Sequence, residues 1–550
     1  MRSSVSKLIE ELGGYGEVRV LRKGLIHLKA CREDLPKIAE LLHWGLGGYF
    51  SVSVGVDERP VDGLLHVYHV FSIDELGTYV VVEASVSPAH PRMPSITPVV
   101  DAANWHEREV TDFIGVEFVG HPEPGRLILP YDWPEGVYPL RKDFPYDSKV
   151  SVGEVPDEVV VDEEGLEGYT KLPVGPYHPA LHEPEHFILY VDGERVVDAR
   201  YKGFFIYRGI EKVAESRLTV NQVPFIAERI CGICGYTHSC CYCQAVESAA
   251  GIEVPERALY IRSTLLEIER IHSHMLWLGV AFHVLGFDTG FMIMMRVREA
   301  VMSIAEMLTG NRKTYGMNLV GGVRRDINEG RKEVVLRALR RVREEFRESM
   351  EDILRMREIV SRTKGVGVLT YNDARRLSVL GPVARASGID TDVRKRHPYA
   401  AYKHVDFRIP VYRDGDVLSR LLVRYEEVLE SIGIVEQLLE SMPRGEILCE
   451  EVEIPEYRKG VGATEAPRGE DIHFVITGRD NKVYRWKPRA PSYNNIPSTI
   501  VMLRGERLAD APVIIASNDP CFSCTDHLVV IDVRRGVRKV VRGEELARRW

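Results

Sequence analysis

Two Cys-x-x-Cys pairs constrain the fold of this chain more than any other feature. The first is Cys231 with Cys234, and the second is Cys521 with Cys524. Two thiolates three residues apart can point at one metal ion, and two such pairs supply four thiolates for a soft or borderline metal. A shared site would join opposite ends of one large domain. The spacing is also compatible with a structural zinc site. A single Cys-x-x-Cys pair is also compatible with a redox motif.

The remaining cysteines do not form a second cluster. The chain has nine cysteines, an odd number, and its N-terminus lacks the apolar run of a secretory signal. A disulfide framework is therefore not expected. We expect Cys240, Cys241 and Cys243 to pack inside a helix as small apolar side chains. Cys31 and Cys449 stand alone, so no iron–sulfur cluster is expected in this chain.

Composition excludes some classes of protein. The net charge of -9 disfavours a nucleic-acid-binding protein. No stretch approaches the roughly 18–20 uninterrupted apolar residues of a membrane helix. Glutamine occurs only as Gln222, Gln244 and Gln437, and this scarcity of a thermolabile amide indicates a thermophilic source.

The order of strand-like and helix-like patterns along the sequence predicts an α+β domain followed by a mainly helical domain with β margins. Residues 1–150 form the first, 151–170 an acidic linker, 171–527 the second and 528–550 a C-terminal tail. Alternating and β-rich runs predict strands, and apolar residues at three- and four-residue spacing predict helices. The predicted strands and helices are Gly63–Val70, Thr78–Val86, a strand–turn–strand over Phe187–Val197, Pro255–Gly279, Arg331–Arg362 and Val417–Met442.

The residues around the cysteine pairs identify the metal. The segments RICGICGYTH (Arg229–His238) and DPCFSCTDH (Asp519–His527) resemble the two nickel-binding signatures of the nickel–iron hydrogenase large subunit, RxCGxCxxxH and DPCxxCxxH/R. The resemblance implies that Cys231 and Cys521 are terminal ligands of nickel. It implies that Cys234 and Cys524 bridge nickel to an iron that carries cyanide and carbon monoxide.

Further segments resemble the surroundings of that centre. EAPRG (Glu465–Gly469) matches an element whose arginine lies over the open metal position, which implies that role for Arg468, next to Pro467. Ser498 and Thr499 match a segment whose hydroxyl bonds a cyanide. Asp519 would complete the polar canopy with Arg468. Read alone, these residues fit a surface ion pair, a helix cap and a turn.

The resemblance also implies a proton carrier and a second metal. Glu183 is our first choice for the carboxylate that carries protons from a terminal thiolate, and Glu185 is the second. The alternative is an exposed acidic turn. Glu211, in the RGxE element, and His527 would bind magnesium or iron; alternatively, Glu211 is a surface charge.

Two more residues bear on the environment of the cysteines. His238 would hydrogen-bond a site cysteine; the alternative is a satisfied core histidine. Ser273 stands where soluble hydrogenases have a canopy aspartate, so hydrogen bonding over the metals is expected to differ here.

The N-terminal domain indicates the branch of the family. WHERE (Trp105–Glu109), DFIG (Asp112–Gly115), GHP (Gly120–Pro122) and PLRKD (Pro139–Asp143) resemble the 30-kDa subunit of respiratory complex I. The helical domain resembles its 49-kDa subunit in Gly175–Pro179 and Glu269–His274. This fusion is typical of group 4 energy-converting, membrane-bound hydrogenases of the formate hydrogenlyase large-subunit type.

That branch implies reversible reduction of protons to H2, coupled to ion translocation. Its members work with a small subunit that carries a 4Fe-4S cluster, with ferredoxin-like subunits, and with antiporter-like and complex I-like membrane subunits. The chain would be a peripheral subunit on the cytoplasmic face of the membrane. Ferredoxin, formate and carbon monoxide all remain open as electron donors, as do the pumped ion and the direction of turnover.

Two other functions remain on this scaffold. One is a quinone- or sulfur-reducing oxidoreductase, which the complete cysteine set disfavours. The other is an assembly module with structural zinc, which leaves Arg468 and Asp519 without a role. Many family members lose the C-terminal tail once nickel is inserted, so cleavage is expected between His527 and Leu528.

Overall fold

A mixed sheet of five strands organises the N-terminal part of the chain. The computed structural model describes residues 4–148, 150, 165–175, 185–204, 208–521, 531–532 and 537–538. The sheet has the order β1-β2-β5-β4-β3; β2 and β5 are parallel, and the other neighbours are antiparallel. The elements of this part are α1 Val5–Gly13, β1 Gly16–Arg22, β2 Leu25–Ala30, α2 Leu35–Glu40, β3 Tyr49–Asp57, α3 Arg59–Asp62, β4 Leu65–Ile73, β5 Thr78–Val86, β6 Arg92–Pro94, α4 Asn104–Ile114 and β7 Glu117–Val119.

The central strands of this sheet are buried on both faces. Every residue of β3 and β4 is buried. Helices α1, α2 and α4 cover one face, where Phe50, Val67 and Val110 share a core. On the other face Val54 and Tyr68 pack with Phe474 of the C-terminal part. The N-terminal domain is therefore packed tightly against the domain that follows.

The C-terminal part combines a helix bundle with two three-stranded antiparallel sheets, in the orders β10-β9-β8 and β13-β14-β15. Its elements are β8 Thr170–Val174, β9 His186–Asp192, β10 Arg195–Lys202, α5 Ile210–Arg217, α6 Val223–Ala227, α7 Gly235–Ala250, α8 Glu256–Val284, α9 Asp288–Thr309, β11 Asn318–Leu319, β12 Gly322–Val323, α10 Glu329–Leu354, α11 Arg357–Ser361, α12 Tyr371–Arg376, α13 Gly381–Ala386, α14 Val393–Arg396, α15 Val417–Ser441, β13 Lys459–Ala466, β14 Gly469–Thr477, β15 Val483–Arg489, α16 Pro491–Leu503, α17 Ala511–Ser517, β16 Ile531–Asp532 and β17 Val537–Arg538.

Helices α8, α9, α10 and α15 share one large apolar core. Helix α10 shows why: its buried residues recur every three or four positions, which places them on one face. They are Val335, Leu339, Val342, Phe346, Met350 and Ile353. Asn328 caps this helix by accepting a hydrogen bond from the Arg331 N–H at 3.0 Å.

Helix α7, which directly follows the first cysteine pair, lies directly on β13. The approach is so close that a Cβ at Gly462 would stand 2.2 Å from the Cys241 carbonyl oxygen, and one at Gly460 2.1 Å from that of Ala245. Two glycines in a strand therefore allow backbone contact between helix and sheet. This packing fixes α7 relative to the turn after β13.

The predicted elements largely match the observed ones. Strand β5 has the predicted bounds, β9 and β10 form the predicted strand–turn–strand, and α8 extends five residues beyond the predicted Gly279. The pattern over 331–362 is not one helix. Met356 adopts an extended backbone, with φ -74° and ψ 119°, so α10 ends at Leu354 and α11 begins at Arg357. Within the described ranges, no helix is both long and apolar enough to cross a membrane.

Candidate metal centre

The first cysteine pair lies in the loop between α6 and α7 and is buried. The backbone N–H groups of Ile233 and Cys234 both point at Cys231 Sγ from 3.4 Å. Glu269 of α8 caps α7 by accepting hydrogen bonds from the N–H groups of Tyr236 and Thr237, at 2.8 and 2.9 Å. A side chain of α8 thus fixes the start of α7, and the loop directs two backbone N–H groups at the Cys231 sulfur.

Two further side chains hold the backbone around Cys231. The Arg208 guanidinium donates to the carbonyl oxygens of Arg229 and Ile230, at 2.6 and 3.0 Å. The Tyr315 hydroxyl donates to the Cys231 carbonyl at 2.9 Å. In the sequence Arg208 is marked only as part of the Glu211 element, and no motif marks Tyr315.

The second pair reaches the same place from the other end of the domain. Cys521 follows α17, and its N–H donates to the Ser492 hydroxyl at 3.0 Å. Its sulfur lies 3.2 Å from Cys231 Sγ. Cys231, Cys234 and Cys521 thus form one buried sulfur cluster. Cys524, the fourth predicted ligand, lies outside the described residues.

The electrostatics of this cluster fit a metal. Contact with Cys231 and burial raise the pKa of the Cys234 thiol well above its ordinary value, while the positive charge of Arg468 opposes the rise. Buried thiols so close together do not ionise without a cation, and a bound metal supplies that charge. Three convergent sulfurs are a donor set for a soft or borderline metal.

Arg468 and Asp519 lie beside the sulfurs and bind each other. Arg468 donates from Nε to the Asp519 carbonyl and from Nη2 to the Asp519 carboxylate, both at 2.8 Å. Its Nη1 is 4.0 Å from Cys234 Sγ and 3.5 Å from the Ser273 hydroxyl. The structure therefore brings together the predicted canopy pair and places Ser273 at its edge.

The turn that carries Arg468 depends on glycine. It includes Pro467 and joins β13 to β14, and Gly469 has a φ of +125°. A Cβ at Gly381 would lie 2.3 Å from the Arg468 carbonyl oxygen. Asn495 of α16 donates to that same carbonyl at 3.1 Å. The guanidinium is thus aimed by a turn that is clamped on both sides.

A second buried arginine near the canopy was not predicted. Arg424 of α15 lies over the Trp277 ring, 4.0 Å from its centroid. Burial lowers its pKa to about 10, whereas the nearby Asp519 carboxylate favours its charged form. No motif marks Arg424, because it belongs to the regular pattern of a helix.

The hydroxyls predicted to face the iron lie on α16 and are buried. Ser498 donates to the Asn495 carbonyl at 2.6 Å, and Thr499 accepts from the Asn518 amide at 2.8 Å. Asn518 immediately precedes Asp519, so it links α16 to the second cysteine segment. The roles of Ser498 and Thr499 at a cyanide stay predictions.

Of the two predicted proton carriers, the structure describes only Glu185, which directly precedes β9. Glu185 is fully buried, directly before His186, whereas Glu183 lies outside the described residues. A buried carboxylate is not the exposed acidic turn that the sequence left open. The choice between Glu183 and Glu185 stays a prediction.

Glu211 is a buried residue of α5, not a surface charge. Its carboxylate pairs with Arg485 at 2.5 Å and with Lys487 at 3.4 Å. His527, the predicted second ligand, lies outside the described residues. Arg485 also pairs with Glu215, and Lys487 also pairs with Glu109, so the two basic side chains are shared among three buried carboxylates. The second metal at Glu211 and His527 stays a prediction.

His238 is fully buried in α7. Its Nδ1 lies 3.0 Å from an Asp471 carboxylate oxygen, and its ring stacks on His473. Among the described residues it makes no hydrogen bond to a cysteine, so that predicted contact stays a prediction. Cys240, Cys241 and Cys243 are buried in the same helix, as predicted.

Comparisons with known proteins agree with this geometry. Three family models match: "Respiratory-chain NADH dehydrogenase, 30 Kd subunit" over residues 28–150, its "49 Kd subunit" over 285–460 and 448–527, and "Nickel-dependent hydrogenase" over 208–289. The third range contains the first cysteine pair. The fused architecture expected from the sequence is therefore confirmed.

Individual relatives cover nearly the whole chain. It is 44% identical to formate hydrogenlyase subunit 5 of Escherichia coli, across 94% of this chain and 91% of that protein. It is 43% identical to hydrogenase-4 component G of the same organism, across 94% and 90%. A subunit of the membrane-bound sulfane sulfur reductase, an archaeal respiratory membrane complex, superposes with a TM-score of 0.62 at 32% identity and covers 65% of this chain and 98% of that one.

The fold and the sulfur cluster define a large subunit built on the scaffold that hydrogenases share with respiratory complex I. The chain belongs to the formate hydrogenlyase and hydrogenase-4 family of nickel-dependent hydrogenase large subunits.

Proposed function

We propose that this chain is the catalytic large subunit of a membrane-bound nickel–iron hydrogenase that reversibly reduces protons to H2. The observation that carries the proposal is the convergence of Cys231, Cys234 and Cys521 beneath Arg468. A structural zinc site requires the sulfurs but gives no reason for a buried arginine beside them. The family membership supports the same function.

In this proposal Cys231, Cys234, Cys521 and Cys524 hold a nickel–iron centre whose iron carries cyanide and carbon monoxide. The centre supplies the redox chemistry that interconverts protons and H2. Arg468 presents a fixed positive charge and N–H donors to that site, and Asp519 fixes the guanidinium. Burial excludes water, which strengthens the field of these groups.

A proton that reaches or leaves a thiolate needs a carrier. We assign the role of proton carrier to Glu183, with Glu185 as the alternative. The burial of Glu185, directly before β9, supports a proton route through a carboxylate there. Ser498 and Thr499 are proposed to bond a cyanide. A magnesium or iron ion is proposed at Glu211 and His527; Arg485 and Lys487, which pair with Glu211, are shared with Glu215 and Glu109.

The proposed partners follow from the family. Electrons would arrive through a small subunit with a 4Fe-4S cluster and through ferredoxin-like subunits, and antiporter-like and complex I-like membrane subunits would couple turnover to ion translocation. The chain would lie on the cytoplasmic face of the membrane as a peripheral subunit. We also propose a thermophilic source and cleavage after His527; mature, nickel-loaded enzyme that retains Arg538–Trp550 would contradict the cleavage.

Metal analysis with infrared spectroscopy tests the function. The proposal expects nickel and iron near one each per chain and infrared bands of carbon monoxide and cyanide. Zinc alone would identify an assembly module. If the chain holds no nickel and its complex reduces quinone or a sulfur compound, the alternative oxidoreductase function on this scaffold would be correct.

A further inference from the structure

One strand of the N-terminal domain contacts the second domain at three successive buried residues, Tyr49, Phe50 and Ser51 of β3. The Tyr49 hydroxyl donates to a carboxylate oxygen of Glu470 in β14 at 2.7 Å. The Ser51 carbonyl accepts from Nε of Arg489 in β15 at 2.8 Å. Strand β3 therefore binds the second domain beside the turn that joins β13 to β14.

Glu470 receives two hydroxyl groups from the N-terminal domain. Tyr79 of β5 donates to the same carboxylate oxygen as Tyr49, Oε2, at 2.8 Å. Burial and the Glu470 charge raise the pKa of both tyrosines well above its ordinary value, so both hydroxyls remain donors. Arg489 binds the other carboxylate oxygen and the Glu470 carbonyl. Glu470 is thus held on both sides, and it stands two residues after Arg468.

Phe50 reaches the same turn by a second route. Its carbonyl accepts from the Asn494 amide at 3.2 Å, and its N–H donates to the Ser378 hydroxyl at 3.3 Å. The next residue along α16, Asn495, donates to the Arg468 carbonyl at 3.1 Å. The backbone of Arg468 is therefore linked to β3 through α16 as well as through β14.

The position of the Arg468 guanidinium depends on this backbone. Its Nη1 lies 4.0 Å from Cys234 Sγ, so a small displacement of the turn changes the distance between the positive charge and the sulfur. A displacement of about 1 Å, even one caused far from the chemistry, can lower a rate about 100-fold. Contacts that fix the turn therefore bear on the reactivity of the centre.

We propose that the N-terminal domain holds Arg468 in place beside the cysteine centre, and that Tyr49 and Tyr79 are positioning residues that act through Glu470. The alternative is that the same contacts only join the two domains. This inference rests on the proposed nickel–iron function, in which Arg468 presents its charge to the reacting site.

The test uses the double variant Y49F/Y79F in the intact complex. It removes both hydroxyls and keeps both rings, so Oε2 of Glu470 loses its two donors while the packing of the domains is retained. Hydrogen–deuterium exchange of the backbone over residues 465–470 measures the turn itself. Metal analysis and H2 turnover measure the centre.

Y68F is the matched control. Tyr68 is also a buried tyrosine of the N-terminal domain, and its ring stacks on Phe474 of β14. Its hydroxyl, however, donates to Glu58 of its own domain at 2.5 Å. Y68F therefore removes a buried hydroxyl at the same domain contact without touching Glu470.

Y49F/Y79F is expected to keep its nickel, to exchange faster over residues 465–470 and to lose about 10-fold in H2 turnover. Y68F is expected to match wild type in exchange over these residues and in turnover. If the tyrosines act through Arg468, their loss and that of R468K are not additive. Added to R468K, Y49F/Y79F is therefore expected to cost less than about twofold more.

Asn494 provides an independent variant. N494A removes the donor to the Phe50 carbonyl and leaves both tyrosines in place. It is expected to raise exchange over residues 465–470 and to lower turnover when Arg468 is present, but not in the R468K background. If Y49F/Y79F does not accumulate, N494A decides the same question.

Three outcomes would overturn the inference. Wild-type exchange and turnover in Y49F/Y79F would show that the hydroxyls do not hold the turn. An equal fold-loss with and without R468K would show that they do not act through Arg468. Faster exchange of the turn in Y68F as well would show a general loosening of the domain contact. Wild-type complex without nickel would instead remove the proposed function, whereas the exchange comparison would still decide whether the N-terminal domain holds the turn.

Discussion

The Arg468 guanidinium binds Asp519 twice, once at the backbone carbonyl and once at the carboxylate, each at 2.8 Å. Asp519 adopts a φ of +53°, which few residues other than glycine tolerate, and stands two residues before Cys521. One arginine therefore fixes both the second cysteine segment and its own position beside Cys234. The same side chain therefore both positions the second cysteine segment and places a positive charge beside Cys234.

R468K tests that dual role. Lysine keeps the charge but offers no planar fork, so the two bonds to Asp519 cannot both persist. We expect H2 turnover to fall about 100-fold, comparable to the loss of one preorganised donor in other active sites. R262K is the control, because Arg262 is equally buried but pairs with Glu247, at 2.7 Å. A similar loss of turnover in R262K would point to general destabilisation.

The variants C231S and C240S distinguish a cysteine that binds the metal from a cysteine that packs in the core. Cys231 belongs to the sulfur cluster, whereas burial raises the pKa of the Cys240 thiol to about 11. We expect C231S to lose nickel and C240S to keep it, as measured by metal analysis of purified complex. Nickel loss in C240S but not in C231S would contradict the ligand assignment.

The sequence predicted those parts of the site that local motifs mark. Cys231 and Cys521 stand in Cys-x-x-Cys pairs whose spacing follows from metal chemistry, whereas Arg468 and Asp519 were marked by resemblance to family motifs. The structure brings the four residues together. Strand β5 could also be predicted from the sequence, because it opens with an uninterrupted β-branched and aromatic run over residues 78–82.

The supporting residues could not be predicted because their roles depend on packing between distant elements. Arg424 lies within the regular pattern of a helix, and His473 lies within that of a strand. Their roles become apparent only from the side chains that they contact in the folded chain. The complete burial of β3 arises from two domains packing on one sheet, which no window of sequence shows. The break at Met356 likewise interrupts an apolar spacing that continues beyond it.

His43 is expected to make the folded chain sensitive to acid. Burial lowers its pKa to about 4, and the charge of Arg375 adds to the effect. The unfolded state takes up a proton near pH 6.5, so the stability is present above that pH and is lost as pH falls from 6.5 toward 4. The shift corresponds to about 3 kcal/mol.

H43L removes that titration. We expect the urea midpoint of H43L to fall less than that of wild type between pH 6.5 and 4. H90L is the control, since His90 is exposed, and it should follow wild type. Parallel pH curves for wild type and H43L would assign the acid sensitivity to other groups.

K487M tests the charged contact between the two domains. Lys487 of β15 pairs with Glu109 of α4 and with Glu211 at 3.4 Å, and all three are buried. Burial raises the pKa of Glu109 and Lys487 opposes the rise, so the variant leaves an uncompensated carboxyl group. We expect a loss of about 3–5 kcal/mol in unfolding free energy, and the double variant K487M/E109Q should recover part of it.

The same variant decides whether Glu211 can take a cation. If Lys487 and Arg485 already compensate this carboxylate, added magnesium should not raise the melting temperature of wild type. In K487M one positive charge is gone, so magnesium should raise the melting temperature, and K487M/E211Q should abolish that gain. Stabilisation of wild type by magnesium, lost in E211Q, would show instead that the ion binds beside both basic residues, and the second metal of the family pattern would then belong to this chain as well.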